Sequence, residues 1–243
     1  MAIGNNYLST KDFNIISFGK LLSIVNLHQK NYFIISKYFT IPKLNNMPEE
    51  FEIFLNSIKK ICPELTANEL QKFSKGLTIT KIKKKDFYIR AGQVQHIGGY
   101  VVKGLMRCYH TDEYGNEKNI YFIPEDEFAF HYSSFIENNP SPLSFQCIEP
   151  TVIINFSPEH LNQMYDEIPK LERYTRIQVE SRLIIFQQRL ESFLYQSTEQ
   201  RYLDFITQYP SLFARIGVTN LCSYLGVERQ TLTRIRKKIL NSQ

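Results

Sequence analysis

The stretch LCSYLGVERQTLTRIRKKI runs from Leu221 to Ile239, near the C-terminal end of the chain. It holds one glycine, Gly226, five basic residues (Arg229, Arg234, Arg236, Lys237, Lys238) and a single acid, Glu228. Apolar residues recur at helical spacing on both sides of Gly226. The stretch therefore predicts two short helices, Val218 to Leu225 and Glu228 to Leu240, joined by a tight turn. Such a turn needs a residue that enters the left-handed region without steric cost, and glycine does so freely. Leu221, Leu225, Val227, Leu232 and Ile235 are spaced to close one small shared core, and the small Cys222 permits close helix contact. Thr219 is placed to cap the first helix. This is the pattern of a helix-turn-helix, whose second helix enters the major groove of DNA.

With Leu232, Ile235 and Ile239 facing inward, Arg229, Gln230, Thr233 and Arg234 project from the outer face near the helix start, where base-reading side chains sit in such motifs. Arginine bonds guanine bidentately, and glutamine does the same with adenine. Arg236, Lys237 and Lys238, together with Thr219 and Thr231, are assigned to phosphates, which position a protein on DNA without specifying sequence. A solvated basic face on an ordinary helical hairpin is the competing reading. The joint placement of glycine, apolar residues and charge favours DNA.

Charge along the chain points the same way. Residues 201–243 carry seven Arg and Lys against two Asp and Glu, whereas residues 47–200 carry 17 against 21. A basic end on a mildly acidic body fits an anionic partner at that end. Upstream of the hairpin, Ser197 with Gln200 caps a helix in TEQRYLDFITQY that Pro210 stops. Before that, a long helix is predicted from Pro169 to about Tyr195. Leu171, Tyr174, Ile177 and Ile184 form an apolar seam on it, and Leu183 to Phe186 are apolar all round. Such a helix requires cover on more than one side, which points to pairing with its twin in a homodimer; packing on its own barrel alone is the competing reading.

Residues 77 to 157 change period. LTITKIKKKDFYIRAGQ alternates, IGGYVVKGLMRCYHTDEYGNEKNIYFI reads as strand, turn at Lys103-Gly104, strand, turn at Asp112 to Asn116, strand, and LSFQCIEPTVIINFS adds two more. Short strands at intervals of roughly ten residues predict an antiparallel barrel or jelly roll. The lysine run Lys81 to Phe87 reads as a solvated strand edge, with a DNA flank as the alternative. Ser157-Pro158 opens a helix. Thr66 and Glu69 form a capping-box pattern in a helical segment that begins at Met47. Residues 1–46 follow no period and read as an extension, with Met47 as an alternative start.

Several chemistries are disfavoured. The cysteines, Cys62, Cys108, Cys147 and Cys222, form no C-x-x-C pair, so they read as buried thiols rather than metal ligands. His96, His110, His131 and His160 are isolated, with no H-x-H or H-E-x-x-H, which weighs against a cupin-like metal enzyme, the main catalytic rival. No P-loop, G-x-S-x-G or G-x-G-x-x-G occurs. A fold that has lost DNA binding and serves as an interaction module is the other rival. No signal peptide and no membrane span are read, so a cytoplasmic protein is expected.

The order of barrel, long helix and helix-turn-helix resembles the Crp/Fnr family of bacterial transcription regulators. IRAGQ, YVVKGLMRCY and DEYGNEKNIYFI look like its cyclic-nucleotide-binding-type roll. EQRYLDFITQYPSL and LCSYLGVERQTLTRIRKKI look like its C-terminal module. The resemblance covers about Met47 to Leu240. It implies an α+β chain with an N-terminal extension (1–46), a sensor roll (47–168), a dimerisation helix (169–196) and a DNA-binding domain (197–243). It further implies a homodimer on a two-fold symmetric DNA site, with RNA polymerase as a possible further partner. Arg229, Gln230 and Arg234 match the family's base-contacting positions. Two departures stand out. The sequence ends at Gln243, which predicts no C-terminal wing. The phosphate-binding segment EDEFAFHYSSFIENNPSPLSF lacks the Gly-Glu and Arg-Ser/Thr pairs, and no Lys or Arg occurs from Asn119 to Pro169, a span that holds eight acids. An unneutralised acidic loop repels phosphate, so the roll is expected not to bind cyclic AMP or cyclic GMP, and no cofactor is expected.

Overall fold

GGYVVK at 98–103 alternates between two apolar environments. In a strand, successive side chains point to opposite faces. The computed structural model, which describes residues 47–241, uses both faces of this segment; the extension read for residues 1–46 lies outside the described residues. Tyr100 and Val102 turn to one core, Val101 to another.

Among the described residues, eight strands form two antiparallel sheets: β1 (Thr78–Ile82), β2 (Phe87–Ile89), β3 (Gly98–Lys103), β4 (Met106–Thr111), β5 (Glu117–Ile123), β6 (Phe128–Ala129), β7 (Ser144–Cys147) and β8 (Thr151–Phe156). One sheet has the order β1-β8-β3-β6 and the other β2-β7-β4-β5. Val101, Ile153, Ile89, Met106, Cys108, Ile123, Phe145 and Cys147 are buried between them. The antiparallel roll expected from the sequence is present. The alternating stretch at 77–93 is two strands rather than one. It breaks at Lys83–Asp86, where Lys85 has φ 73°, and its halves enter different sheets. The Lys103-Gly104 turn is present, and Gly104 has φ +103° with Pro150 O only 2.5 Å from where a Cβ would stand.

Helices cover the outer face of the first sheet. They are α1 (Glu49–Ile61), α2 (Ala67–Ser74), α3 (Tyr132–Glu137), α4 (Pro158–Glu167) and the start of α5 (Lys170–Tyr195). Phe54, Leu55, Ile58, Leu70 and Phe73 pack there with Ile154 and Phe156. The capping box at α2 is complete: Glu69 N–H donates to Thr66 Oγ1 at 3.2 Å, and Thr66 N–H donates to Glu69 Oε2 at 2.7 Å. Ser157 caps α4 with Pro158 in its first turn. Two short helices escaped the sequence reading. One is α3; the other is α7 (Pro210–Arg215), where Pro210 both stops α6 (Thr198–Gln208) and opens the next helix.

The proposed dimer seam divides. Leu171 and Tyr174 belong to the roll's own core, where Tyr174 packs on Phe128. Both are thereby withdrawn from any helix pairing. Ile177 is half-buried and Ile184 is exposed. The exposed apolar residues on α5 are Val179, Leu183, Ile184, Phe186, Leu190, Phe193, Leu194 and Tyr195, with Leu183 and Leu190 65% and 61% exposed, and Phe186 also packs edge-on against Tyr121 of the roll at 5.4 Å. Positions 179, 183, 186 and 190 recur in alternating steps of four and three, the spacing of a coiled-coil seam.

Candidate nucleic-acid interface

The C-terminal helices are α8 (Gly217–Leu225) and α9 (Arg229–Leu240). Gly226 joins them at φ 69°, ψ 41°. Val227 N–H donates to Cys222 O at 3.0 Å and Gly226 N–H to Ser223 O at 3.4 Å, the paired bonds of a left-handed helix stop that only glycine adopts without strain. Glu228 is the N-cap of α9 and uses no side-chain cap bond. Its carboxylate still stands at the positive end of the helix dipole. Leu221, Cys222, Leu225, Leu232 and Ile235 are buried together, with Val227 and Ile239 packed against them. The helix-turn-helix read from the sequence is therefore built as expected, and its glycine sits where the turn requires it.

Arg229, Gln230, Thr233, Arg234 and Lys237 are all exposed on α9. Their spacing at i, i+1, i+4, i+5 and i+8 places them on one face. Thr233 Oγ1 donates to Arg229 O at 2.9 Å, and Arg234 donates to Thr231 Oγ1 at 3.3 Å. Arg236 departs from its assignment. It is half-buried, with its guanidinium carbon 5.7 Å from the Tyr202 ring centroid and 5.5 Å from that of Phe213. Its place one residue past Ile235 turns it toward the module's aromatic flank, so it packs rather than reaching for phosphate. Lys238 is exposed but bonded to Glu199 at 2.7 Å. Thr219 is exposed in the first turn of α8 rather than capping it; Ile216 holds the N-cap position without a side-chain bond.

How the hairpin is held was not legible from the sequence. Strand β5 is the edge of its sheet, and an edge leaves backbone groups unpaired. Helix α8 satisfies two of them. Asn119 N–H donates to Ser223 Oγ at 2.9 Å, Ser223 Oγ donates to Glu117 O at 2.7 Å, and Asn119 Nδ2 donates to Asn220 O at 3.1 Å. Leu105 and Phe122 of the roll join the same apolar cluster as Tyr202, Phe205 and Leu221. Roll and hairpin thus share a core across the boundary drawn at 196/197.

Arg215, the last residue of α7, makes four bonds to two carboxylates. It donates to Glu125 at 2.9 and 2.9 Å and to Glu149 at 3.0 and 2.6 Å. These bonds, Glu149 first and Glu125 second, raise the Arg215 pKa further. Burial pushes the Glu125 carboxyl up, but the bonds from Arg215 and from Gly104 N–H outweigh it and hold the carboxyl below its ordinary range. Arg182 likewise pairs with Glu127, and Lys72 with Glu167. The acidic span is therefore not unneutralised. Its counter-charges come from Lys72, Arg182 and Arg215, which lie outside it in sequence and close on it only in the fold.

The rival chemistry has no assembled site among the described residues. No three His, Cys, Asp or Glu side chains there are grouped to hold a metal ion. His160 Nε2 lies 2.7 Å from Phe73 O, and its ring stacks on that phenyl. All four cysteines are free and buried. No helix among the described residues is long and apolar enough to cross a membrane.

No family profile and no curated protein matches the sequence. Solved structures do match in fold. CLP of Xanthomonas campestris, a cyclic-di-GMP-responsive global regulator, aligns at 16% identity and a TM-score of 0.60, over 73% of this chain and 93% of that one. A CooA mutant from Carboxydothermus hydrogenoformans aligns at 13% identity and 0.59, over 69% and 78%. FixK2 from Bradyrhizobium japonicum aligns at 14% identity and 0.58, over 68% and 85%. The chain has the fold of Crp/Fnr-type regulators: an antiparallel roll of the cyclic-nucleotide-binding kind followed by a helical module.

Proposed function

We propose that this chain is a sequence-specific DNA-binding transcription regulator that acts as a homodimer. One observation carries the reading: α9 presents Arg229, Gln230, Thr233, Arg234 and Lys237 on one exposed face, while its opposite face is locked into a helix-turn-helix core. A basic outer face with arginine and glutamine at its start suits base edges in the major groove, with Lys237 on phosphate. The partner is double-stranded DNA with a two-fold symmetric site, its half-sites about one turn apart, roughly 34–36 Å. The outward row Val179, Leu183 and Leu190 on α5, with Phe186 at its inner edge against Tyr121, replaces Leu171 and Tyr174 as the surface on which two copies pair.

The roll is proposed not to take a cyclic nucleotide. Its acidic segment has no arginine of its own, and the two that reach it, Arg182 and Arg215, are committed to Glu127, Glu125 and Glu149. A cyclic phosphate would have to displace one of them. Calorimetry with cyclic AMP and cyclic GMP checks this; binding of either at micromolar concentration overturns it.

The main test is selection of DNA by the purified protein from a random-sequence library, without added ligand. Enrichment of a palindromic motif, with affinity that falls steeply as salt rises, supports the proposal. A folded protein that enriches no sequence and binds DNA no better at low salt refutes it.

A further inference from the structure

The last turn of α8 is gripped by the helix on which two copies are proposed to pair. Carbonyls at a helix C-terminus have no partner within the helix. Here one of them is taken by Arg189 of α5, which donates to Tyr224 O at 2.9 Å. The same Nη2 reaches Asn119 O, on the edge strand β5, at 3.3 Å. The guanidinium also lies 3.6 Å from the centroid of the Tyr224 ring and 4.9 Å from that of Phe193. Phe193, one turn further along α5, stands over the hairpin turn itself: a Cβ on Gly226 would meet its ring at 3.1 Å. Arg201 of α6 completes the grip by donating to Leu225 O at 3.2 Å.

Three parts of the chain thus meet at one side chain: the long helix, the edge strand of the roll and the turn that aims α9. Burial lowers the Arg189 pKa, the mark of a cation drawn out of water and satisfied by fixed dipoles rather than by a carboxylate. Leu190, its neighbour in sequence, is exposed in the outward row. One residue along a helix is a rotation of about 100°, so α5 shows the seam on one face and holds the hairpin on the adjacent one. Tyr224 sits only five positions before Arg229, with the glycine turn between them.

We infer that Arg189 is a positioning residue that fixes the distance between the two recognition helices of a dimer. It ties the base of each α9 to the helix whose pairing relates the two copies. This inference rests on the reading above that α9 binds DNA and α5 pairs. A planar guanidinium suits the task, because one of its nitrogens serves both carbonyls while its face lies on the Tyr224 ring, whereas lysine offers a point charge on a flexible stem with no flat face to hold that ring.

The test uses full-length wild type, Arg189→Met and Arg189→Lys. The probes are the palindrome that the wild type enriches, the same palindrome with its half-sites moved by about 5 bp, about half a helical turn, and a single half-site at low salt. Cooperative melting checks folding. The wild type is expected to prefer its own spacing over the shifted one by at least about tenfold, because a half-turn shift puts the second groove on the far side of the duplex. Both variants are expected to hold the single half-site within about twofold of wild type while losing most of that preference. A purely structural role would move the melting temperature and leave the preference intact. If Arg189→Met fails to fold, Arg189→Lys, which keeps charge and a donor, carries the test alone. Unchanged spacing preference in a folded variant overturns the inference, as does equal loss on half-site and palindrome. A wild type that binds no DNA overturns the functional reading first and this inference with it, which the wild-type lanes alone report.

Discussion

Replacing Arg215 with alanine removes a cation that bridges α7 to two turns of the roll. Four bonds of 2.6–3.0 Å are lost at once. Hydrogen bonds to charged groups contribute about 1.5–3 kcal/mol each when buried, so a simple sum would exceed 6 kcal/mol. The site does not justify that sum. The side chains of Arg215, Glu125 and Glu149 are 26%, 37% and 32% exposed, and solvent screens pairs so open, to the point that fully exposed ones contribute at most about 1 kcal/mol. Breaking a fully buried pair costs about 3–5 kcal/mol. This site lies between these limits, so Arg215→Ala is expected to cost about 2 kcal/mol, or about 4–8 °C in Tm for a chain of this size.

The assay is urea unfolding at neutral pH, repeated in 1 M salt, where the difference from wild type is expected to shrink because the Debye length falls to about 3 Å. Acid gives an independent sign. The Glu125 carboxyl is held below its ordinary value in the folded chain. Its stabilising share is therefore present above the unfolded carboxylate value and lost as pH falls below it, through the lowered folded value. Without Arg215 the hold on this carboxyl weakens, leaving the Gly104 N–H bond, so the variant is expected to lose less stability on acidification than wild type. A cost below about 0.5 kcal/mol, with the acid limb unchanged, would mean that the two forks are open in solution, and the bridging argument would fail.

Four further outcomes are expected. Leu232→Ala, at a side chain only 1% exposed in the hairpin core, is expected to destabilise by about 2–5 kcal/mol in chemical unfolding. Thr66→Ala is expected to cost about 1 kcal/mol; the Glu69 carboxyl, held down to about 2 first by Thr66 N–H and then by Lys170, gives stability present above about pH 4.5 and lost as pH falls toward 2. Arg229→Ala is expected to weaken the preferred site by about 1–3 kcal/mol and relax one base pair, and equal weakening on random DNA in a binding titration would remove its base-reading role. Leu183→Glu combined with Leu190→Glu is expected to shift sedimentation toward monomer and leave the thermal melt cooperative, since both side chains face outward.

The sequence carried the two helices of the hairpin and their turn because those features are local. A glycine stop, an apolar period and a charged face lie within twenty residues, and Gly226, Leu232 and Arg229 stand where that spacing put them. Caps were legible for the same reason: Thr66 with Glu69, and Ser157 with Pro158, act across three residues. What escaped depends on distant segments. Leu171 and Tyr174 carry the same helical period as Leu183 and Leu190, and nothing local says that the first pair meets Phe128 and the roll while the second pair stays outside. Arg236 looked like a phosphate ligand by its place in a basic run, but the rings of Tyr202 and Phe213, far back in the sequence, lie against it. The acidic span misled most, because counting charge along the chain omits Arg215 and Arg182, which arrive from elsewhere.

That last point bears on how the two halves of the chain depend on each other. The edge strand β5 exposes Asn119 and Glu117 backbone groups, and Leu105 and Phe122 face away from the inter-sheet core. A roll left with that edge bare would present unpaired strand donors beside an apolar patch, a combination prone to pairing with other chains. The hairpin closes it with Ser223, Asn220 and the Leu221 cluster, and it gains from the roll the two carboxylates that fix Arg215. Neither half therefore sets its stability alone. A hairpin hung on a flexible tether could be added or removed without effect on the roll. Here the strand edge, the shared core and the Arg215 and Arg189 bonds make the orientation of α9 part of the packing of the whole described chain. Any change that turns α9 must first break bonds to the roll, and the cost of breaking them sets the threshold for that change.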